Sequence, residues 1–124
     1  MTETRVAVVT GASRGIGAAV ALALARAGFD LLLAARTGTA LETVASRLSG
    51  ETGRRAEIVP CDLREPEAAE RVVQAALDAF GRIDLLVNNA GATKRGAFLE
   101  LGEADWQDGY ALKLFGCVRL CRAA

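Results

Sequence analysis

Residues 5–17, Arg5-Val6-Ala7-Val8-Val9-Thr10-Gly11-Ala12-Ser13-Arg14-Gly15-Ile16-Gly17, decide how this chain is read. Arg5 to Thr10 is a short β-branched run ended by Gly11, the pattern of a strand buried on both faces. From Ile16 to Gly28 nearly every residue is alanine, leucine or valine, so a helix apolar almost all round, and therefore buried, is expected there. Between strand and helix lies a glycine loop, which is where an open sheet holds a diphosphate. Gly11 can make the sharp turn, Gly15 lets backbone approach an anion, and Gly17 lets the helix pack on the strand. The free amides of the helix N-terminus face the same point. A plain tight turn is the alternative for the glycines alone, and their position between strand and helix argues against it. No Lys followed by Ser or Thr comes after the glycines, which excludes the phosphate loop of nucleoside triphosphatases.

Working outward, Leu31 to Ala35 reads as a second apolar strand. Leu41, Val44, Ala45 and Leu48 then recur at helical spacing among polar residues. Glu57 to Val59 begins a third strand ending near Cys61, with Pro60 tolerated at its end. Val72, Ala75, Ala76 and Ala79 mark a helix that starts by Pro66 and stops at Gly81. Ile83 to Val87 gives a fourth strand. After a glycine-containing loop, a last helix runs from about Glu103 onward with Trp106, Tyr110, Leu114, Cys117 and Cys121 on its apolar face. Strands each followed by a helix imply parallel pairing with right-handed crossovers, hence a doubly wound α/β sheet.

Composition narrows the class. The chain has 124 residues, 52% hydrophobic and 24% charged, which is too apolar for disorder and too charged for a membrane protein. Fifteen basic residues balance fifteen acidic ones. No long-range field therefore favours nucleic acid or an anionic bilayer, and any anion site must be local. The expected partner is a small molecule, with neither nucleic acid nor membrane involved. No apolar run approaches the roughly 20 residues needed to span a bilayer. Three cysteines without CxxC spacing, and no histidine, give no metal motif, so a reduced, cytoplasmic setting is expected. Cys117 and Cys121 lie four apart; they read either as small packing residues, the commoner fate, or as a soft-metal or redox pair.

The motifs become specific when taken together. Thr10 to Gly17, TGASRGIG, resembles the TGxxxGxG motif of the short-chain dehydrogenase/reductase family. Cys61-Asp62-Leu63 looks like that family's adenine-pocket acid and its neighbour, and Asn88-Asn89-Ala90-Gly91 is its NNAG motif. Trp106 with Leu114-x-Gly116 resembles its fourth-helix pattern. The resemblance covers the whole chain and implies a Rossmann-type doubly wound parallel sheet, here partial, with four strands in the order 3-2-1-4 and four helices. Residues 1–124 would form one incomplete NAD(P)-binding domain. The resemblance also implies a cofactor-binding set: Gly11, Ser13, Arg14, Gly15, Ile16 and Gly17 in the loop, Asp62 and Leu63 at the adenine, and Asn89, Ala90 and Gly91 along the cofactor. Asn88 would brace the sheet.

Cofactor choice falls at the end of the second strand, where an NAD enzyme places an acid on the ribose hydroxyls. This chain has Ala35-Arg36 there. Arg36, with Arg14 as a second cation, can pair with a 2′-phosphate, so NADP (NADPH) is expected over NAD. An exposed solvating charge is the alternative for each arginine. Asp30 opens the second strand and should lie at the wrong end of the sheet to reach ribose.

In this family hydride transfer between NADP and a carbonyl or secondary alcohol uses a serine and a Tyr-x-x-x-Lys motif on the fifth strand and helix. At about 30 residues for each strand–helix unit, six strands need on the order of 180 residues, so the chain is expected to stop before them and not to turn over alone. Tyr110 and Lys113 are three apart and on the wrong helix to replace them, and Tyr110 reads instead as a core tyrosine with a surface hydroxyl. Lys113 stands where the family usually has a fourth-helix asparagine of its proton relay. It would either bend the helix less and set a cation beside the active site, or point to solvent. The fourth strand would become a sheet edge and the last helix would display Trp106 and Tyr110, so self-association through that helix, aggregation or a partner is expected. The complete parent is expected to be a homo-oligomer. A non-catalytic nucleotide-binding or interaction module is the competing reading.

Overall fold

The computed structural model describes residues 3–91 and 96–124; part of the loop after the fourth strand, residues 92–95, lies outside them. The chain runs β1 (Val6–Thr10), α1 (Gly15–Arg26), β2 (Asp30–Ala35), α2 (Gly38–Thr52), β3 (Ala56–Pro60), α3 (Ala68–Phe80) and β4 (Leu85–Val87). A final rod follows, made of α4 (Glu103–Tyr110), a π-helical stretch (Ala111–Gly116) and α5 (Cys117–Ala123). The four strands pair in parallel in the order β3-β2-β1-β4.

Alternation along the central strands builds the two faces, because successive side chains of a strand point to opposite sides. Ala7, Val9, Leu31 and Leu33 pack with Ala21 and Ala25 of α1 and Leu41 and Leu48 of α2. Val8, Leu32 and Ala34 face the other way, onto Ala69, Val72 and Ala76 of α3 and Leu120 of α5. β1 is buried throughout, as is β2 up to Ala34. Burying one Leu or Val contributes about 1.5–3 kcal/mol, so this inner pair of strands supplies most of the core.

Two expectations are corrected. α1 is not buried all round: Gly17, Ala21 and Ala25, four apart, are its buried stripe, while Ile16 is 74% exposed. An outer-layer helix touches only the sheet below and α2 beside it, so a single stripe is all it can bury. The last helix displays its apolar face, as expected for Trp106 and Tyr110, and it is the reading of Tyr110 as a core residue that fails. Trp106, Tyr110 and Leu114 are 41%, 53% and 47% exposed, and the buried residues are Gly109, Gly116 and Leu120. Trp106 and Tyr110 lie before the π stretch and, among the described residues, have no helix packed over them; beyond Tyr110 the wider π turn shifts the face away from a 3.6-residue count. Tyr110 is thus no core residue; its ring stacks on Trp106 with centroids 6.4 Å apart.

Asp30 sits at the start of β2, where it accepts the Arg55 amide at 3.0 Å and pairs with Arg54 at 3.7 Å. It fastens the β2–β3 start, at the opposite end of the sheet from the glycine loop. Among the described residues, no helix is long and apolar enough to cross a membrane.

Candidate functional site

Parallel strands bring all their carboxyl ends to one edge of the sheet. A cleft of ≈ 680 Å³ opens there, above the ends of β1, β2 and β3 and the segment after β4. Gly11, Ser13, Arg14, Gly15, Ile16, Arg36, Asp62, Leu63, Asn89, Ala90 and Gly91 all line it. The remaining residue of the sequence-derived set, Gly17, lies buried beneath the loop: a Cβ there would stand 2.0 Å from the Gly11 carbonyl oxygen and 2.6 Å from the Asn89 amide nitrogen. Its part is to let α1 start hard against the end of β1.

The loop is shaped for an anion. Arg14 caps α1 in extended conformation with no side-chain hydrogen bond to the first turn, and that turn holds no acidic residue. The first-turn amides are left for a ligand to satisfy. Gly15 has φ +58, and a Cβ there would meet nothing within 4 Å, so the backbone faces open space. Arg14 and Arg36 add two exposed guanidinium groups, and neither forms an ion pair among the described residues. An uncapped helix start, an open glycine and two cations without ion pairs among the described residues fit the diphosphate of a nucleotide.

Asp62 lies at the β3 end of the cleft. Its carboxylate accepts the Arg64 amide at 3.0 Å and the Arg64 guanidinium at 3.0 Å on each oxygen. The other arm of Arg64 donates to Asp108 of α4 at 2.7 and 2.8 Å. Hydrogen bonding from Arg64 holds the Asp62 carboxyl below its ordinary value against the opposing effect of burial, and Arg36 adds a smaller pull in the same direction. Asp62 is therefore an ionised, oriented acceptor.

Thr10 ties β1 to β4. Its hydroxyl donates to the Val87 carbonyl at 3.4 Å and accepts the amides of Asn89 at 3.0 Å and Ala90 at 2.9 Å. The Asn89 side chain donates to the Gly11 carbonyl at 3.3 Å, joining the glycine loop to the Asn89–Gly91 segment. Asn88 donates to the Cys121 sulfur of α5 at 3.5 Å. Thr10, Arg64 and Asp108 thus shape the cleft although sequence reasoning gave them no role. Arg64, two residues after Asp62, carried a local signal, whereas Asp108 is 44 residues from its partner and carried none.

Lys113 sits in the π stretch with its stem against Gly91: a Cβ on Gly91 would meet Lys113 Cε at 3.0 Å. It lines a smaller hollow of ≈ 270 Å³ with Thr10, Asn88, Asn89, Ala90 and Cys117, and that hollow shares Leu63, Asn89, Ala90 and Leu112 with the main cleft. The side chain is exposed, and its stem runs beside Gly91 at the edge of the main cleft. Tyr110 lines neither space. Cys61 is buried and its thiol is pushed up by that burial; Cys117 is raised by desolvation and then by the neighbouring Cys121 thiol.

Comparison with known proteins agrees with this geometry. The family model for short chain dehydrogenase matches residues 5–124. An uncharacterised oxidoreductase of Mycobacterium tuberculosis is 42% identical over 112 residues, 90% of this chain and 42% of its own length. The crystal structure of L-sorbose reductase from Gluconobacter frateurii, complexed with NADPH and L-sorbose, superposes with TM-score 0.93 at 36% identity, covering 98% of this chain and 46% of that one. A 3-oxoacyl-[acyl-carrier protein] reductase from Brucella melitensis in complex with NAD gives TM-score 0.90 at 40% identity, covering 99% and 48%. The chain spans less than half the length of each of these proteins.

Proposed function

This chain belongs to the short-chain dehydrogenase family, and we propose that it is the cofactor-holding part of an NADP(H)-dependent oxidoreductase acting on a carbonyl or secondary alcohol. Bound NADP(H) supplies the hydride donor or acceptor. The chain's own residues hold it: the amides at Gly15 to Gly17 and the Arg14 guanidinium take the diphosphate, Arg36 takes the 2′-phosphate, and Asp62 and Leu63 take the adenine. Asn89, Ala90 and Gly91, hung from Thr10, wall the β4 side.

The observation that carries the reading is Arg36. It stands in the cleft at the end of β2 without an ion-pair partner among the described residues, at the position where an acid would bind the ribose hydroxyls of NAD. Both cofactors occur among solved relatives, one of which holds NADPH and another NAD, so the preference rests on the arginines. Fluorescence titration should give NADPH binding at least about tenfold tighter than NADH, the effect of one charge-assisted pair. Equal affinities would refute the preference.

The only tyrosine, Tyr110, has Leu114 four residues on, so these 124 residues contain no Tyr-x-x-x-Lys. By themselves they are proposed to bind nucleotide without turning it over. NADPH consumption above background with a panel of carbonyl compounds would overturn that. A second reading, a nucleotide-binding interaction module, is favoured by one observation: Phe98, 76% exposed, lies with its ring 6.0 Å from that of exposed Trp106, which stacks on exposed Tyr110. A soluble complex of defined stoichiometry in sedimentation supports it; a monomer at all concentrations argues against it.

A further inference from the structure

The cleft is chemically asymmetric. Arg36 and Asp62 stand in it above β2 and β3, while Gly91 lines its β4 side and Lys113 lines the hollow that adjoins it there. If Arg36 takes the adenosine 2′-phosphate and the glycine loop the diphosphate, the nicotinamide half must extend toward β4. That is where Lys113 lies. We propose that Lys113 sets the oxidation-state preference of the bound cofactor, its ammonium disfavouring the cationic oxidised nicotinamide and so selecting NADPH over NADP⁺. The inference rests on the NADP(H) reading above.

Three features place that charge. The π stretch, a geometry that recurs at functional sites, spans Ala111–Gly116 with Lys113 at its middle. Gly116 is buried, and a Cβ there would meet the Leu63 carbonyl oxygen at 3.1 Å, so the stretch is seated on the loop that also lines the cleft. The lysine stem then runs along Gly91, where an added Cβ would approach Lys113 Cε to 3.0 Å. Among the described residues, Lys113 takes part in no ion pair, so no fixed carboxylate cancels its charge.

The two cofactor forms share their phosphates, riboses and adenine, and differ by one positive charge on the nicotinamide ring. Every contact made by Arg14, Arg36 and Asp62 is common to both. The ratio of the two dissociation constants therefore isolates the environment of the ring. A neighbouring unit charge in a water-like dielectric, the setting of an exposed side chain such as Lys113, changes that ratio about threefold. Salt should shrink the effect.

The test is titration of NADP⁺ and NADPH on the wild-type chain, on Lys113→Met, which keeps the length of the stem and removes the charge, and on Lys113→Arg, which keeps the charge. 2′,5′-ADP, which has no nicotinamide, serves as the reference ligand and reports that each variant is folded. Expected is a wild-type preference for NADPH, a ratio at least about threefold smaller in Lys113→Met through tighter NADP⁺ binding, and a ratio kept in Lys113→Arg. 2′,5′-ADP should bind all three alike. A ratio unchanged in Lys113→Met, with both forms still binding, overturns the inference and leaves the cofactor reading in place. A wild-type chain that binds neither form overturns both.

Discussion

Replacing Gly17 by alanine tests the whole placement of the glycine loop. The added Cβ would lie 2.0 Å from the Gly11 carbonyl oxygen, 2.6 Å from Asn89 Nδ2 and 2.7 Å from the Gly11 carbonyl carbon. Two of these three atoms are backbone, so no rotamer change relieves the contact. The end of β1 must separate from α1 by more than an ångström. Doing so breaks the bond from Asn89 Nδ2 to the Gly11 carbonyl, 3.3 Å long, and strains the bond from the Ala12 amide to Ala34, also 3.3 Å. Overpacking of a tight core and the loss of one or two such bonds together amount to about 2–4 kcal/mol. In a chain of this size that lowers the melting temperature by roughly 8–16 °C. Circular dichroism melts and urea midpoints read the stability, and NADPH titration of the folded fraction reads the loop. Gly15→Ala is the matched comparison, since its Cβ meets nothing and only the positive φ opposes it, at about 1–2 kcal/mol. The reasoning fails if Gly17→Ala melts within about 2 °C of wild type, or if Gly15→Ala is the more destabilised of the two.

Thr10→Val removes the shared acceptor of the Asn89 and Ala90 amides while keeping side-chain shape, and should cost about 1–3 kcal/mol by urea unfolding, with Thr10→Ser close to wild type. Arg36→Asp should reverse the nucleotide preference, NADH binding at least about tenfold tighter than NADPH, because a carboxylate repels the 2′-phosphate and accepts from ribose hydroxyls; a variant that still favours NADPH would contradict the role given to Arg36. Arg64→Met should destabilise by roughly 1 kcal/mol near neutral pH. Because Arg64 holds the folded-state Asp62 carboxyl below its ordinary value, their pairing stabilises the fold above the ordinary carboxylate range and is lost as pH falls through the lowered value. The stability gap between wild type and Arg64→Met, followed by urea unfolding from neutral to acid pH, should therefore close in acid, and a gap independent of pH would exclude the pairing.

The two central strands were legible because each is a run of apolar residues with no polar alternation, which only a strand covered on both faces tolerates. The cleft was legible for a related reason: its loop needs positive φ at Gly11 and Gly15 and has no room for a Cβ at Gly17, so glycines had to appear in the sequence there. Arg36 was readable because it follows directly on β2. Display of Trp106 and Tyr110 on the last helix was readable, whereas the face beyond Tyr110 was not, because a 3.6-residue count does not hold where Ala111–Gly116 turns more widely. α1 was overburied in the reading because composition says how apolar a helix is, and not how many neighbours the layer provides.

What the sequence by itself determined is the order of elements, their parallel pairing and the loop between β1 and α1, since these follow from local steric rules and from alternation within a few residues. Tertiary structure alone decided that Arg64 shares its two arms between Asp62 and Asp108 of α4, that the Thr10 hydroxyl carries two amides of the β4 segment, and that Lys113 crosses Gly91. Each of these joins residues distant in the chain, or depends on the pitch of a helix. Such contacts are fixed by the packing of whole elements, a cooperative outcome that no single stretch of sequence encodes.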